Sequence, residues 1–496
     1  MKQRFRATCI ALALLALSSS FAAAAAGEGE GPFVIRSVEY SIVGATREMV
    51  LRQKAEIRIG QRFEDRSSLE AFIADRKQKL LNERVLESVE AEYVAMPATG
   101  GGYDVILRFS TKDSWNIIAL PKFEFDSNTG LELSVRARDY NFLGSMQALA
   151  LNLTYTKDEH GTDGFGGSLG FDVPFRLLGH DWSVGFDEDL NLYPDGTPPT
   201  SISSLGLGMT FHEAGFPITL TGTQGLSFNP EGIGDDPDPY FLTSSLSLSA
   251  SVPTGIRTSG LGELSYAPVL SLATNWSFDG PLQYKNREGL TPYFGHTLSW
   301  GRADWEGNLR SGMVLSLANS FSYNAYREVL STYLDASARG YSNHLQRIGL
   351  AARATAYQRL SGDERTDQGG YLRGVRDARV DAESALFLNL DLPVKLFDFP
   401  THLLIKKNWL DFELQASPFL DAAVAKRKDA PLGAEDFWYS GGLELIVYPA
   451  MMRTFIVRGS VGFDLDAVIR NRSLFDPSPR DGADPYEIYF GLGLSY

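Results

Sequence analysis

The residues able to do chemistry are scattered along the chain. Six histidines, His160, His180, His212, His296, His344 and His402, fall on different runs and turns, and none has a second ligand at metal-binding spacing. Serines are abundant, but those from Ser245 to Ser251 alternate with apolar residues. No Ser, His and Asp set can be assembled from spacing, because a triad is defined by geometry. Asp235, Asp236 and Asp238 are acidic enough to hold a divalent ion at a loop tip, but a solvated outer loop is the better reading of them. Gly164 to Gly170 is glycine-rich but opens no helix, which argues against a phosphate cradle. The expectation is therefore no catalytic residue, no metal, no cofactor and no enzyme.

The informative signal is alternation. From Trp115 onward there are runs of roughly 10 to 14 residues with period two, separated by Gly, Pro, Asp and Asn clusters. In Ser244 to Val252, Leu246, Leu248, Ala250 and Val252 alternate with serines; Leu149, Leu151, Leu153 and Tyr155 repeat the pattern, as do Phe455, Val457, Val461, Phe463 and Leu465. Strands of soluble sandwiches usually run about 5 to 6 residues, whereas membrane-spanning strands need about 9 to 11, apolar toward lipid and polar toward the lumen. The longer runs favour the membrane. Tyr155, Trp276, Trp300, Trp438 and Tyr448 lie near run ends, as interfacial girdle residues would. About eighteen candidate runs are present, two of which read as hairpin halves or loop segments.

The last run, Tyr486 to Tyr496, puts Ile488, Phe490, Leu492, Leu494 and Tyr496 on one face and Tyr489, Gly491, Gly493 and Ser495 on the other. Such an apolar strand would be an aggregation-prone edge unless it pairs within its own sheet. In lipid, closure is obligatory, because open backbone groups find no water there. The expected fold is an all-β transmembrane barrel whose last strand meets its first, about Trp115 to Asp126.

Residues 1–26 read as a secretory signal, with Lys2, Arg4 and Arg6, an apolar stretch from Cys9 to Leu17 and small residues from Ala22 to Ala26. Its removal takes away the only Cys, and with it any disulfide or cysteine metal site. It also removes three basic and no acidic residues, moving the net charge from −15 to −18. That balance argues against a nucleic-acid partner. No later apolar run approaches the ~18 residues of a spanning helix.

Residues 33–112 differ from the rest and read as one small α+β domain. A strand through Val34, Val38, Tyr40 and Ile42 ends at Gly44, Thr46 caps a helix through Glu56, and the chain turns around Gly60. Asp65 caps a second helix through Leu81, and two strands follow, Val85 to Val94 and Tyr103 to Lys112.

This layout resembles the BamA/TamA/FhaC-type outer-membrane assembly and secretion superfamily, in which periplasmic POTRA domains precede a sixteen-stranded barrel. Residues 33–112 look like a single POTRA, and residues 113–496 like the barrel. Tyr371-Leu372-Arg373-Gly374-Val375 resembles the family's barrel-loop motif, with Val375 where an aromatic is usual. Phe419-Leu420-Asp421-Ala422-Ala423 resembles the strand motif that holds the loop arginine, with Ala423 in place of Gly. Phe412, Leu414, Ala416, Leu420 and Ala422 share one face, so Phe419 and Asp421 point into the lumen. Five runs come after the loop, as in the family.

The resemblance implies an Arg373–Asp421 latch, with Gly374 and Phe419 beside it. In the closing strand, Tyr489, Gly491, Leu494 and Tyr496 fit the pattern by which the assembly machinery accepts client barrels. Pro121 removes a ladder donor from the first strand, and Gly491 and Gly493 weaken the last, so the seam between them would be poor. The implied activity is insertion or translocation of proteins at the outer membrane. The implied partners are outer-membrane lipids, extended client polypeptides captured by β-augmentation, and other assembly-machinery subunits. A passive pore or a lipid-transport barrel is the alternative.

Overall fold

The computed structural model describes residues 32–99, 101–126, 130–157, 163–192, 194, 198–212, 215–229, 238–258, 261–284, 287–362, 365–401, 411–428, 430–451 and 456–492. The signal-like segment 1–26 lies outside them.

The N-terminal unit runs β1 (Phe33–Val43), α1 (Glu48–Ala55), β2 (Arg62–Phe63), α2 (Arg66–Asn82), β3 (Leu86–Pro97) and β4 (Tyr103–Asp113). Its sheet has the order β2-β1-β4-β3, with β1 and β4 parallel. Alternate residues of β1 and β4, namely Phe33, Ile35, Leu107 and Phe109, are buried with Leu51 of α1 and Leu69 and Leu80 of α2. Asp65 caps α2 as its position suggests: its side chain accepts from the Ser68 N–H, which holds its carboxyl below the usual range. Thr46 does not cap α1. The N-cap is Arg47, and the Thr46 hydroxyl donates instead to Asp113 at 2.7 Å. A carboxylate at the end of β4 outcompetes the helix terminus for that hydroxyl. Among the described residues β3 pairs only with β4, so its other edge is open.

The rest of the chain is a closed antiparallel barrel. Its strands are β5 (Ile117–Asp126), β6 (Gly130–Asp139), β7 (Leu149–Lys157), β8 (Asp163–Leu177), β9 (His180–Leu192), β10 (Thr200–Phe211), β11 (Ile218–Phe228), β12 (Tyr240–Ala250), β13 (Val252–Thr258) and β14 (Gly262–Trp276). They continue as β15 (Leu290–Glu306), β16 (Leu309–Asn324), β17 (Val329–His344), β18 (Ile348–Ser361), β19 (Ser384–Asp391), β20 (Val394–Phe399), β21 (Phe412–Lys426), β22 (Phe437–Pro449), β23 (Val457–Asp464) and β24 (Tyr486–Leu492). β12 and β13 both pair with β14, and β19 and β20 both pair with β21, each couple being one strand with a short interruption. Among the described residues the barrel thus has eighteen antiparallel runs, closed by β24 on β5. That is two more than the sixteen the resemblance implies, a number the alternation reaches only when two of about eighteen candidate runs are set aside as hairpin halves or loop segments. The two extra runs precede the Arg373 loop, since five come after it.

Leu246 and Leu248 of β12 are about half exposed (53% and 44%) while the serines between them face inward, and Leu386, Leu388 and Leu390 of β19 are exposed likewise. A continuous belt of this kind far exceeds the apolar patches that soluble monomers tolerate, and it suits hydrocarbon. Two expectations fail here. Trp438 and Tyr448 are 6% and 2% exposed and point into the lumen, because they share the phase of Glu444, not of Leu443 and Leu445. The run containing Val457 and Phe463 ends at Asp464, whose side chain caps a helix, α3 (Leu465–Asn471), so Leu465 is helical. The glycine-rich stretch Gly164 to Gly170 lies within β8.

The connections at one rim are short, as at 178–179, 307–308 and 345–347, and those at the other are long, as at 362–383 and 465–485. The N-terminal unit docks on the short-turn rim. The Arg47 N–H donates to the Gly144 carbonyl at 2.9 Å, and Met146 of the same turn enters the small unit's core. Substituting Phe109, 1% exposed, by Ala should cost about 3–5 kcal/mol. Limited proteolysis should then cut within 33–113 while the barrel keeps its heat-modifiable gel shift; loss of both together would show that the two regions unfold as one.

Candidate functional site

The loop between β18 and β19 turns back into the barrel, and the side chain of its Arg373 is only 14% exposed. Its Nε and Nη2 donate to the two oxygens of Asp421 at 3.0 and 2.7 Å, a bidentate fork. Nη1 and Nη2 donate also to Asp391, the latter at 3.2 Å, and the Arg373 backbone N–H donates to Asp421 at 3.0 Å. The guanidinium lies 3.7 Å from the centre of the Phe419 ring. Glu444 stands 4.0 Å away and is itself paired with Arg458 at 2.9 Å. Burial alone would lower the Arg373 pKa, but the bonds and charge of Asp421 and Asp391 prevail and raise it.

Gly374 allows the loop to lie directly on the wall. Its φ is +97°, and a Cβ there would fall 2.3 Å from the Phe463 nitrogen. A Cβ at Gly462 would likewise fall 2.6 Å from the Arg373 carbonyl carbon, so loop and β23 meet backbone to backbone. The Gly374 N–H donates to Glu487 of β24 at 2.8 Å. Val375 stands where an aromatic is usual, yet it is fully buried with Leu372, Phe387 and Trp438. Further along, Arg379 donates to Asp464 at 2.9 Å and to Asp481 at 2.7 Å. Arg379 and Arg480 lie 5.2 and 4.1 Å from the Trp438 ring centre. The loop therefore ties together β19, β21, β23 and β24.

The structure brings Arg373, Gly374, Phe419 and Asp421 together. It also adds partners that the sequence alone does not reveal, namely Asp391, Glu444, Arg458, Gly462 and Glu487. Asp391 and Glu444 carry a faint signal, both being carboxylates on the lumen phase of apolar strands, but only the register brings them alongside Asp421. At the seam, the described pairs are Tyr489 with Asp126 and Phe490 with Phe125, against ten pairs between β5 and β6. Pro121 is opposite Val135 on the β6 side. Tyr489 points inward beneath Arg458, whose guanidinium lies 4.1 Å from its ring centre, and a Cβ at Gly491 would meet the tyrosine hydroxyl at 2.3 Å. Gly491 thus makes room for a ring as well as thinning the strand. Gly493, Leu494 and Tyr496 lie outside the described residues. Asp238 accepts from the Gln283 and Tyr284 N–H groups and from Arg287, so it organises a loop; Asp235 and Asp236 lie outside the described residues.

No protein-family model matches this chain, and no curated protein matches it. Among solved structures it is similar to CdiB from Acinetobacter baumannii, at 14% identity over 92% of this chain and 73% of that one, with a TM-score of 0.51. It is also similar to CdiB from Escherichia coli, at 12% identity over 99% and 96%, TM-score 0.43. BamA from Haemophilus ducreyi lacking POTRA domains 1–3 matches at 12% identity over 92% and 84%, TM-score 0.38. The first likeness shows a shared β-barrel fold; the two lower scores add nothing to it.

Arg373→Ala would leave two buried carboxylates without their cation. Breaking a well-buried pair costs about 3–5 kcal/mol, and the residual exposure of Arg373 puts the loss toward the lower end. Purified protein should unfold at a lower temperature in a heat-modifiability series. Arg373→Lys should recover only part of the loss, since an ammonium cannot fork onto Asp421; full recovery would mean that charge alone matters.

Proposed function

We propose that this chain sits in the bacterial outer membrane, its N-terminal unit in the periplasm, and helps polypeptides into or across that membrane. The observation that carries the reading is the open edge of β3 on a unit docked at the short-turn rim of a closed barrel. Such an edge binds extended chains by main-chain hydrogen bonds without demanding one sequence. In this reading residues 33–112 act as a single POTRA, extended client polypeptides are the substrates, and outer-membrane lipids surround the apolar belt. Other assembly subunits are further partners, and no bond is made or broken.

Delivery would use the seam between β24 and β5, where Tyr489 pairs with Asp126 and Phe490 with Phe125 and a client strand would compete for the same backbone groups. The Gly374–Glu487 bond links the latch to the closing strand, so the loop would resist its displacement until a client replaces β5. A passive pore or a lipid-transport barrel is the rival reading, and neither pore conduction nor lipid passage requires a seam that opens.

Phe125 and Phe490 face each other directly, and antiparallel partners lie about 4.5–5.5 Å apart at Cα, within disulfide reach. In a Phe125→Cys/Phe490→Cys chain, oxidation should halt client accumulation in a depletion strain, and reduction should restore it. Unchanged accumulation with the seam locked would remove lateral opening. Deleting residues 33–112 should also abolish client accumulation; retention would favour the passive pore.

A further inference from the structure

The β15–β16 hairpin leaves the barrel wall before its turn. Gly301 and Gly312 both have positive φ, +93° and +106°, at nearly the same level of the ladder, where Gly301 faces Val314 and Gly312 faces Ala303. Neither tolerates a side chain: a Cβ at Gly301 would lie 2.0 Å from the Met313 carbonyl oxygen, and one at Gly312 2.3 Å from that of Arg302. Paired kinks of this kind re-aim a hairpin as a bulge does. Here they turn residues 302–311 inward.

The contacts fix the direction. Trp305 packs against Ile446, Tyr448 and Ile456, and the Asn308 carbonyl accepts from Gln415 Nε2 at 3.2 Å. Gln415 belongs to β21 and Ile446 to β22, and both are completely buried on the lumen side. Between them and β16 stand β17, β18 and the β19–β20 strand. A tip confined to the wall reaches only its neighbours, so this one crosses the inside of the mouth. It covers a side of the lumen that the Arg373 loop approaches from the opposite rim.

The small unit holds this tip from below. Asn82 of α2 donates to Asp304 at 2.9 Å, Gln78 donates to the Trp305 carbonyl at 3.3 Å, and Arg302 donates to Asp75 at 2.8 Å. Arg84, just past α2, donates to Asn308 at 3.3 Å, and its guanidinium lies 4.1 Å from the Trp305 ring centre. Arg310 lies 4.5 Å from that ring. These bonds are of modest strength: Arg302 and Asp75 are each 37% exposed, and water screens an ion pair that is open to it. The Arg373 cluster is a buried lock by comparison. The hairpin is a fastening that a displaced α2 can release.

We propose that residues 302–311 form a strap across the short-turn mouth, held shut by α2 and opened when the N-terminal unit moves away. The proposal rests on the barrel reading alone and holds whether polypeptide or lipid passes. It is tested by single-channel conductance of the full chain in planar bilayers. Cys9 is the only native cysteine, so in a Cys9→Ser background Asn308→Cys and Gln415→Cys can be joined by a short bifunctional thiol reagent. Release variants are Trp305→Ala, and Asn82→Ala with Arg84→Ala. Release should raise the mean conductance or open probability severalfold, and cross-linking should return it to or below the parent level. If cross-linked and uncross-linked chains conduct alike, the strap does not gate, and this holds even if a release variant fails its heat-modifiable gel shift. Loss of client accumulation without any conductance change would overturn the strap while leaving seam-based delivery intact.

Discussion

Hydrocarbon offers no partner for a peptide group, and the rest of the molecule depends on that constraint. Every spanning residue must complete its ladder with another strand, so eighteen runs can persist only as a ring. Closure rests on β24 meeting β5, the two elements farthest apart in the barrel's sequence. A ring also separates two chemistries. Leucines at alternate positions face lipid, and the intervening positions are free to carry serines, carboxylates and arginines.

That freedom allows a buried charge cluster to form. Arg373 enters from a loop, but Asp391, Asp421 and Glu444 come from three successive strands, and the ladder sets their spacing. None of these carboxylates is more than 1% exposed at its side chain. Ions so enclosed repay their desolvation only through short, directional contacts, and the fork on Asp421 with the Phe419 ring close against the guanidinium supplies them. The cluster and the strap hold the same side of the lumen by unlike means. One uses enclosed charge that is costly to disrupt, the other an aromatic ring and half-exposed pairs that are not.

Much of this is legible in the residues themselves. Period-two alternation marks the strands, and the phase of Phe412 to Ala422 is enough to put Phe419 and Asp421 inside. The order of elements from Phe33 to Asp113 is readable from capping residues, glycines and helical spacing, although Thr46 has the type and position of a helix cap while a distant carboxylate holds it. The hidden part depends on register. That Asp391 and Glu444 border Asp421, that Trp438 and Tyr448 face inward, and that a hairpin bends at Gly301 and Gly312 are all consequences of which strand lies beside which. Alternation reports two faces without saying which is which at a run's end. The strand number implied by the resemblance misleads because resemblance at the Arg373 loop says nothing about how many runs close the ring before it.

The contact of Gly374 on Gly462 constrains the order in which the barrel is completed. The loop is synthesised ahead of β21, β23 and β24, yet it rests on all three. Until those strands arrive, its arginine has no site and stays hydrated, and the loop cannot be threaded in afterwards through a finished wall without passing down the open lumen. The site for the loop is thus complete only once the C-terminal staves stand beside one another. A chain truncated by even one stave would keep most of its ladder and still lack the platform that makes the interior rigid.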